Sequence, residues 1–271
     1  MMPGAFNAAT ARLIEQAGFP AVYISGAGLA NATAGVPDIG LLSREEVAQL
    51  AGYIVRAVKV PVLCDADTGF GGAREVARTI REFEQIGLAG LHLEDQRFPK
   101  RCGHLPGKEL ISTREMTTKI RAANRARRDP DFLIVARTDA RSVEGFDAAV
   151  ERSRAYLAAG ADAIFPEALE TEREFREFAR QVNAPLMANM TEFGRSPLLG
   201  ARQLAAMGYR MILFPQTAFR IAMRAEQVCL TELHQLGSQK RALDRMQTRQ
   251  ELYDLLGYDP NRADTWTGGK T

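Results

Sequence analysis

The chain has 271 residues, 46% of them apolar and 25% charged, an ordinary globular mixture and neither a disordered nor a fibrous one. Lysine and arginine number 35 against 33 aspartates and glutamates, a balance that excludes a general nucleic-acid binder. No apolar run approaches the ~18 residues of a membrane span, no signal peptide opens the chain, and three cysteines suit a reducing compartment, so a cytoplasmic enzyme with no membrane partner is expected.

Short apolar runs alternate with longer amphipathic segments. In chain order, a strand stub at Met1–Phe6 precedes a helix at Ala8–Ala17, and the run Ala21–Gly26 precedes Ser43–Val58. Val60–Asp67 then pairs with Ala73–Ile86, Leu88–Asp95 with Ser112–Arg128, and Phe132–Asp139 with Phe146–Ala159. Ala163–Ala168 precedes Glu170–Val182, Leu186–Phe193 precedes Pro197–Met207, and Met211–Pro215 leads into two helices, Thr217–Leu236 and Lys240–Leu256, before a polar tail. Most runs are continuously apolar, as in parallel strands covered on both faces. Ser43 with Glu46, and Ser112 with Glu115, read as capping boxes. Gly18, Gly87, Gly160 and Gly208 follow four of the helices as terminators. A βα unit repeated eight times predicts an α/β fold, a (β/α)8 TIM barrel forming one domain over residues 1–271, with 217–256 as a helical C-terminal extension. An open doubly wound sheet would want a phosphate turn after its first strand, and Gly26-Ala27-Gly28-Leu29-Ala30-Asn31 lacks the last glycine of that motif.

Catalytic groups of such barrels gather at the C-terminal strand ends, and here those ends are unusually polar. They carry Tyr23 and Ser25; Asp65 and Asp67; His92, Glu94 and Asp95; Arg137 and Asp139; Glu167; and Asn189, Thr191 and Glu192. Asp65 and Asp67 share a strand face and, with Glu94 from the next strand, form an oxygen-only set suited to Mg²⁺ or Mn²⁺. The loop Lys100-Arg101-Cys102-Gly103-His104 sets two cations and a histidine beside a thiol, which favours reactivity. As a zinc site it supplies only two ligands. Cys64, Cys229 and His234 read as packing residues, and the arginines at 121, 125, 127 and 128 as a solvated helix end.

These motifs carry a resemblance. Lys100–His104 with Pro106-Gly107-Lys108, Asp65-Ala66-Asp67 followed by Gly69-Phe70-Gly71, Val135–Asp139, Phe165–Ala168 and Ala188–Gly194 resemble the isocitrate lyase/phosphoenolpyruvate mutase superfamily, over nearly the whole chain. The cysteine loop is the specific part and is similar to that of the superfamily's lyases acting on 2-methylisocitrate. The resemblance implies Mg²⁺-dependent cleavage of that small tricarboxylate to pyruvate and succinate, as in propionate breakdown by the methylcitrate cycle. It implies metal ligands at Asp65 and Asp67, a gating loop at Cys102 and Gly103, and substrate contacts at Ser25, Gly26, Ala27, Arg137, Glu167, Asn189, Thr191, Arg220 and Arg249. Cys102 is expected as general acid, and Tyr23 as base, with His92 or Glu94 acting through water as alternatives. Phe165 and Leu213 offer apolar surface for a methyl group. Ala27 stands where the family often has glycine, and the first strand begins almost at Met1, without the family's preceding helix. Superfamily membership further implies a homo-oligomer, a tetramer with the eighth helix exchanged between subunits. Thr217–Leu236 agrees, being more apolar than one barrel face requires. The competing readings are an isocitrate- or oxaloacetate-directed lyase or decarboxylase on the same scaffold, and an idle barrel acting as a binding module.

Overall fold

The computed structural model describes residues 1–265; the end of the expected polar tail lies outside them. Eight parallel strands form the centre: β1 Met2–Ala5, β2 Val22–Ile24, β3 Val62–Asp65, β4 Gly90–Glu94, β5 Leu133–Thr138, β6 Ala163–Pro166, β7 Leu186–Asn189 and β8 Tyr209–Phe214. Each pairs with the next, and β8 returns to β1 through Met2 opposite Leu213 and Pro3 opposite Phe214, closing the barrel. The stub at Met1–Phe6 is therefore the first strand.

The alternation that the sequence hides is present in the packing. Ile24, Cys64, Leu91, Leu93, Ile134, Ala136 and Ile164 join the layer between strands and helices, while Tyr23, Leu63, Val135, Ala163, Phe165, Met187 and Leu213 fill the barrel interior. Both faces are apolar, so the strands read as continuous runs. Two residues further along the inward rows of β2 to β7, the filling is polar: Ser25 after Tyr23, Asp65 after Leu63, Glu94 after His92, Arg137 after Val135, Glu167 after Phe165 and Asn189 after Met187. The register sets Asp65 opposite His92 and Glu94 opposite Arg137. A dry floor below a charged mouth results.

The surrounding helices are α1 Ala8–Gln16, α2 Gly26–Leu29, α3 Arg44–Ala57, α4 Ala73–Gln85, α5 Thr113–Ala126, α6 Ala140–Val143, α7 Phe146–Ala158, α8 Glu172–Gln181, α9 Ala201–Ala206, α10 Thr217–Leu236 and α11 Arg249–Leu256. Ser43 and Glu46 form the full reciprocal box at α3, whereas at α5 Ser112 accepts from the Glu115 amide without a return bond. Gly18, Gly87, Gly160 and Gly208 all adopt positive φ, as helix terminators do. Two boundaries differ from expectation. Helix Pro197–Met207 shrinks to α9, which starts after Gly200. Lys240–Leu256 divides into a 3₁₀ segment, Lys240–Arg245, and α11, which Thr248 and Glu251 open with a capping box of their own. None of the twenty residues of α10 is buried, and Ile221, Met223, Leu230, Leu233 and Leu236 are exposed on it. Among the described residues no helix is long and apolar enough to cross a membrane.

One buried strut fixes the charged mouth. Asp95, just past β4, accepts bonds from the Thr138 hydroxyl at 2.7 Å, the Asp139 amide at 2.9 Å and the Tyr156 hydroxyl of α7 at 2.7 Å. Burial raises the Tyr156 pKa and keeps the phenol a donor. Tyr156→Phe leaves a fully buried carboxylate one donor short, so the unfolding free energy should drop by about 1–3 kcal/mol. Urea denaturation checks this, and an unchanged midpoint would contradict it.

Candidate active site

A cavity of about 300 Å³ opens at the C-terminal strand ends. Of the residues expected from sequence, Tyr23, Ser25, Ala27, Asp65, Cys102, Gly103, Arg137, Glu167, Asn189, Thr191 and Arg220 line it. Phe165 and Leu213 line it as well. Ser25 ends β2 and caps α2, its hydroxyl accepting from the Gly28 amide at 3.3 Å, while the Gly26 amide donates to Asp65 Oδ2 at 3.2 Å. Arg249 is not part of the cavity. It starts α11, which packs against α1, and it is exposed there.

Arg137 is the central charge. Its guanidinium bonds Asp139 Oδ2 at 2.9 Å and meets Glu167 Oε2 at 3.2 Å and Glu94 Oε2 at 3.4 Å. Burial pushes the Glu167 carboxyl up, but Arg137 and His104 outweigh it and hold the group well below the ordinary range. Asp139 is likewise pushed up by burial and brought below its ordinary value by Arg137 and Lys108. Asn189 Nδ2 adds a long bond of 3.3 Å to Glu167.

The expected metal acids occupy the other side of the mouth without converging. Among the described residues no three His, Cys, Asp or Glu side chains come close enough to enclose an ion. The cause is pairing: Glu94 turns to Arg137, and Lys100 Nζ bonds Asp38 and sits 2.9 Å from Asp67 Oδ1. The donor set nonetheless fits a hard divalent cation. Glu94 and Asp67 Oδ1 are buried with only the cations Arg137, at 3.4 Å, and Lys100, at 2.9 Å, beside them and no well-aligned hydrogen bond, and burial raises the carboxyls of Asp65, Glu94 and, to about 6, Asp67. Lys100 lowers all three carboxyls, and Arg137 those of Asp65 and Glu94, but burial outweighs them. Water completes the shell of such ions, so full enclosure by protein is not required.

Tyr23 alone of the three expected base candidates reaches the cavity; His92 and Glu94 lie behind it. Tyr23 Oη and His92 Nε2 are 2.8 Å apart. Burial, reinforced by Asp65, raises the phenol well above its ordinary range, and burial with Arg137 lowers the imidazole to about 3. The two groups share one hydrogen bond, whose direction follows the imidazole tautomer.

The loop after β4 folds over this arrangement, and three of its polar side chains turn to carboxylates of the site. Lys100 goes to the acid cluster. His104 Nε2 goes to Glu167 at 3.0 Å, while its Nδ1 accepts the Arg195 amide at 2.9 Å, which fixes the tautomer with the proton on Nε2. Lys108 bonds the Gly103 carbonyl and reaches Asp139 at 2.7 Å. Lys100 and Lys108 are buried cations that seek carboxylates, and His104 turns its Nε2–H to another, so all three point inward. Gly103 is glycine by necessity, since a Cβ there would run into the Arg137 guanidinium and the Glu167 side chain.

Comparison with known proteins places this geometry. The family profile for phosphoenolpyruvate phosphomutase matches residues 1–234. The chain is 54% identical to a 2-methylisocitrate lyase of Aeropyrum pernix over 94% of its own length and 82% of the relative's. The chain belongs to the phosphoenolpyruvate mutase/isocitrate lyase superfamily. Within it, the crystal structure of a 2,3-dimethylmalate lyase superposes with a TM-score of 0.90 at 37% identity, covering 94% of this chain and 86% of that one. A superfamily phosphonopyruvate hydrolase solved with oxalate and Mg²⁺ superposes at 0.86 and 31% identity, covering 94% and 89%.

The superfamily barrel of this chain holds site residues that sequence reasoning passed over. Asp38 and Gln216 line the cavity from loops, and His104 and Lys108 hold the cysteine loop to Glu167 and Asp139. His104 and Lys108 stood inside the quoted motif, whereas Asp38 and Gln216 carried no local signal.

Proposed function

We propose that the protein is a carbon–carbon lyase that cleaves 2-methylisocitrate to pyruvate and succinate. The observation that carries the reading is the meeting of Cys102 with Asp65, Arg137 and Glu167 around one cavity, in a chain of this likeness to a 2-methylisocitrate lyase. The three free cysteines fit a reducing cytoplasmic setting.

The substrate presents three carboxylates and one hydroxyl. Arg137, Asn189, Thr191 and Arg220 take up the carboxylates of the succinate part, and Ser25 with the Gly26 and Ala27 amides holds the end that becomes pyruvate. Mg²⁺ or Mn²⁺, held by Asp65 and Asp67 with Glu94 facing it, would polarise the oxygens at that end and neutralise developing charge. Tyr23, in its ionised form, takes the C2 hydroxyl proton at Oη and becomes a neutral phenol, with His92 Nε2 2.8 Å from that oxygen to orient it. The C2–C3 bond then breaks: C2 becomes the keto carbon of pyruvate, and the electron pair stays on C3 beside a carboxylate. Cys102 Sγ–H delivers the proton to C3 and completes succinate. Preorganised charge, with Arg137 at its centre, stabilises the intermediate state without reorganisation. Phe165 and Leu213 receive the C2 methyl group. One methyl in an apolar pocket is worth ~1–3 kcal/mol, about 10–200-fold over isocitrate.

Assembly belongs to the same proposal. A homotetramer in which α10 passes to a neighbouring subunit covers the exposed apolar residues of that helix.

Two measurements test this section. With 2-methylisocitrate and Mg²⁺, pyruvate and succinate should appear in equal amounts, faster than glyoxylate from isocitrate; EDTA should abolish turnover, and Cys102→Ser should lower it by about 10²–10⁴-fold. Turnover of oxaloacetate alone, or near-normal activity of Cys102→Ser, would overturn the assignment. Light scattering at micromolar concentration should give a tetramer, and a fully active, stable monomer would refute the exchange.

A further inference from the structure

Gln216 sits between β8 and α10 at the N-cap of that helix, yet its side chain caps nothing. Glutamine is not among the residue types that favour this position. Instead the side chain turns into the barrel mouth, where it is 7% exposed, lines the cavity, and lies with Nε2 3.3 Å from Ser25 Oγ. Its other amide atom, Oε1, is buried without a hydrogen-bond partner. A buried carboxamide left half-satisfied costs free energy unless something else completes it.

The chemistry of the neighbour says what completes it. Ser25 Oγ already accepts the Gly28 amide, so its own proton is free to be given away. The two ends of a carboxamide are nearly equal in size, so the group can be turned end for end, its orientation being set by the network around it. With Oε1 toward Ser25, that oxygen accepts the serine proton, and the Nε2 protons face the cavity with no protein acceptor. A ligand offering carboxylate oxygens supplies one.

We infer that Gln216 is a substrate-binding residue that donates a hydrogen bond to the carboxylate held beside Ser25, the end that leaves as the 2-oxo acid. The inference rests on the reading given under Proposed function for which acid is bound, and on the geometry alone for an anion at this position. The alternative role is a strut joining the β8–α10 junction to β2, with no contact to ligand.

Oxalate carries two carboxylates in the arrangement of a 2-oxo acid end, and is the probe. Calorimetric titration in Mg²⁺ buffer compares the wild-type enzyme with Gln216→Leu and Gln216→Glu, and succinate is titrated as the second ligand. A hydrogen bond to a charged group predicts about a tenfold or greater weakening of oxalate binding by Gln216→Leu, with succinate unchanged within about twofold. Gln216→Glu should weaken oxalate further, because it sets a carboxylate where a donor is needed. In turnover, KM for 2-methylisocitrate should rise more than kcat falls. Oxalate affinity unchanged in Gln216→Leu overturns the inference; so do equal losses for oxalate and succinate with a lowered melting temperature, or a wild-type enzyme that binds no oxalate. Should Gln216→Leu fail to fold, Gln216→Met gives the same reading. A chain that binds oxalate through Gln216 but leaves 2-methylisocitrate intact would sink the lyase assignment and spare this one.

Discussion

The site depends on one buried guanidinium. Arg137 is 8% exposed and faces three carboxylates, Glu94, Asp139 and Glu167, contributed from the ends of three neighbouring strands. A buried charge must be paired, and the planar fork of arginine pairs in fixed directions. The strand ends are therefore held at set distances, and Asp95 behind them supports both Thr138 and Asp139. The Cys102 loop then meets a rigid wall, against which only a glycine fits at 103.

The same loop is held down by the charges of the site. Lys100, His104 and Lys108 each reach a different carboxylate: Asp67, Glu167 and Asp139. The loop's position and the arrangement of the mouth are thus held by the same ion pairs. Burial raises the Lys100 ammonium's desolvation cost, but Asp67, Glu94 and Asp38 outweigh it and keep the group charged. Lys100 and Arg137 between them serve Asp38, Asp67, Glu94, Asp139 and Glu167, and the acid side is where a divalent cation fits.

The barrel was legible in the sequence because its signals are local: apolar runs, capping serines and terminal glycines recur at short spacing. The polar strand ends were legible for the same reason, since they close the apolar runs. What the sequence hid is set by contacts between distant segments. Asp38 meets Lys100 across 62 positions and Gln216 meets Ser25 across 191, and no local pattern announces either. Arg249, expected as a ligand from the resemblance alone, starts α11 and is exposed in the single chain. The break before α11 did have a signal, Thr248 followed by Glu251, masked by the helical character on both sides.

The claim that Arg137 organises the reaction centre is most directly tested by kcat/KM of Arg137→Lys with 2-methylisocitrate. Lysine keeps the charge but offers a point in place of a fork, so it cannot serve three carboxylates and a substrate together. The account predicts a loss of about 10²–10³-fold in a folded protein. A lysine variant within about threefold of wild type would contradict it.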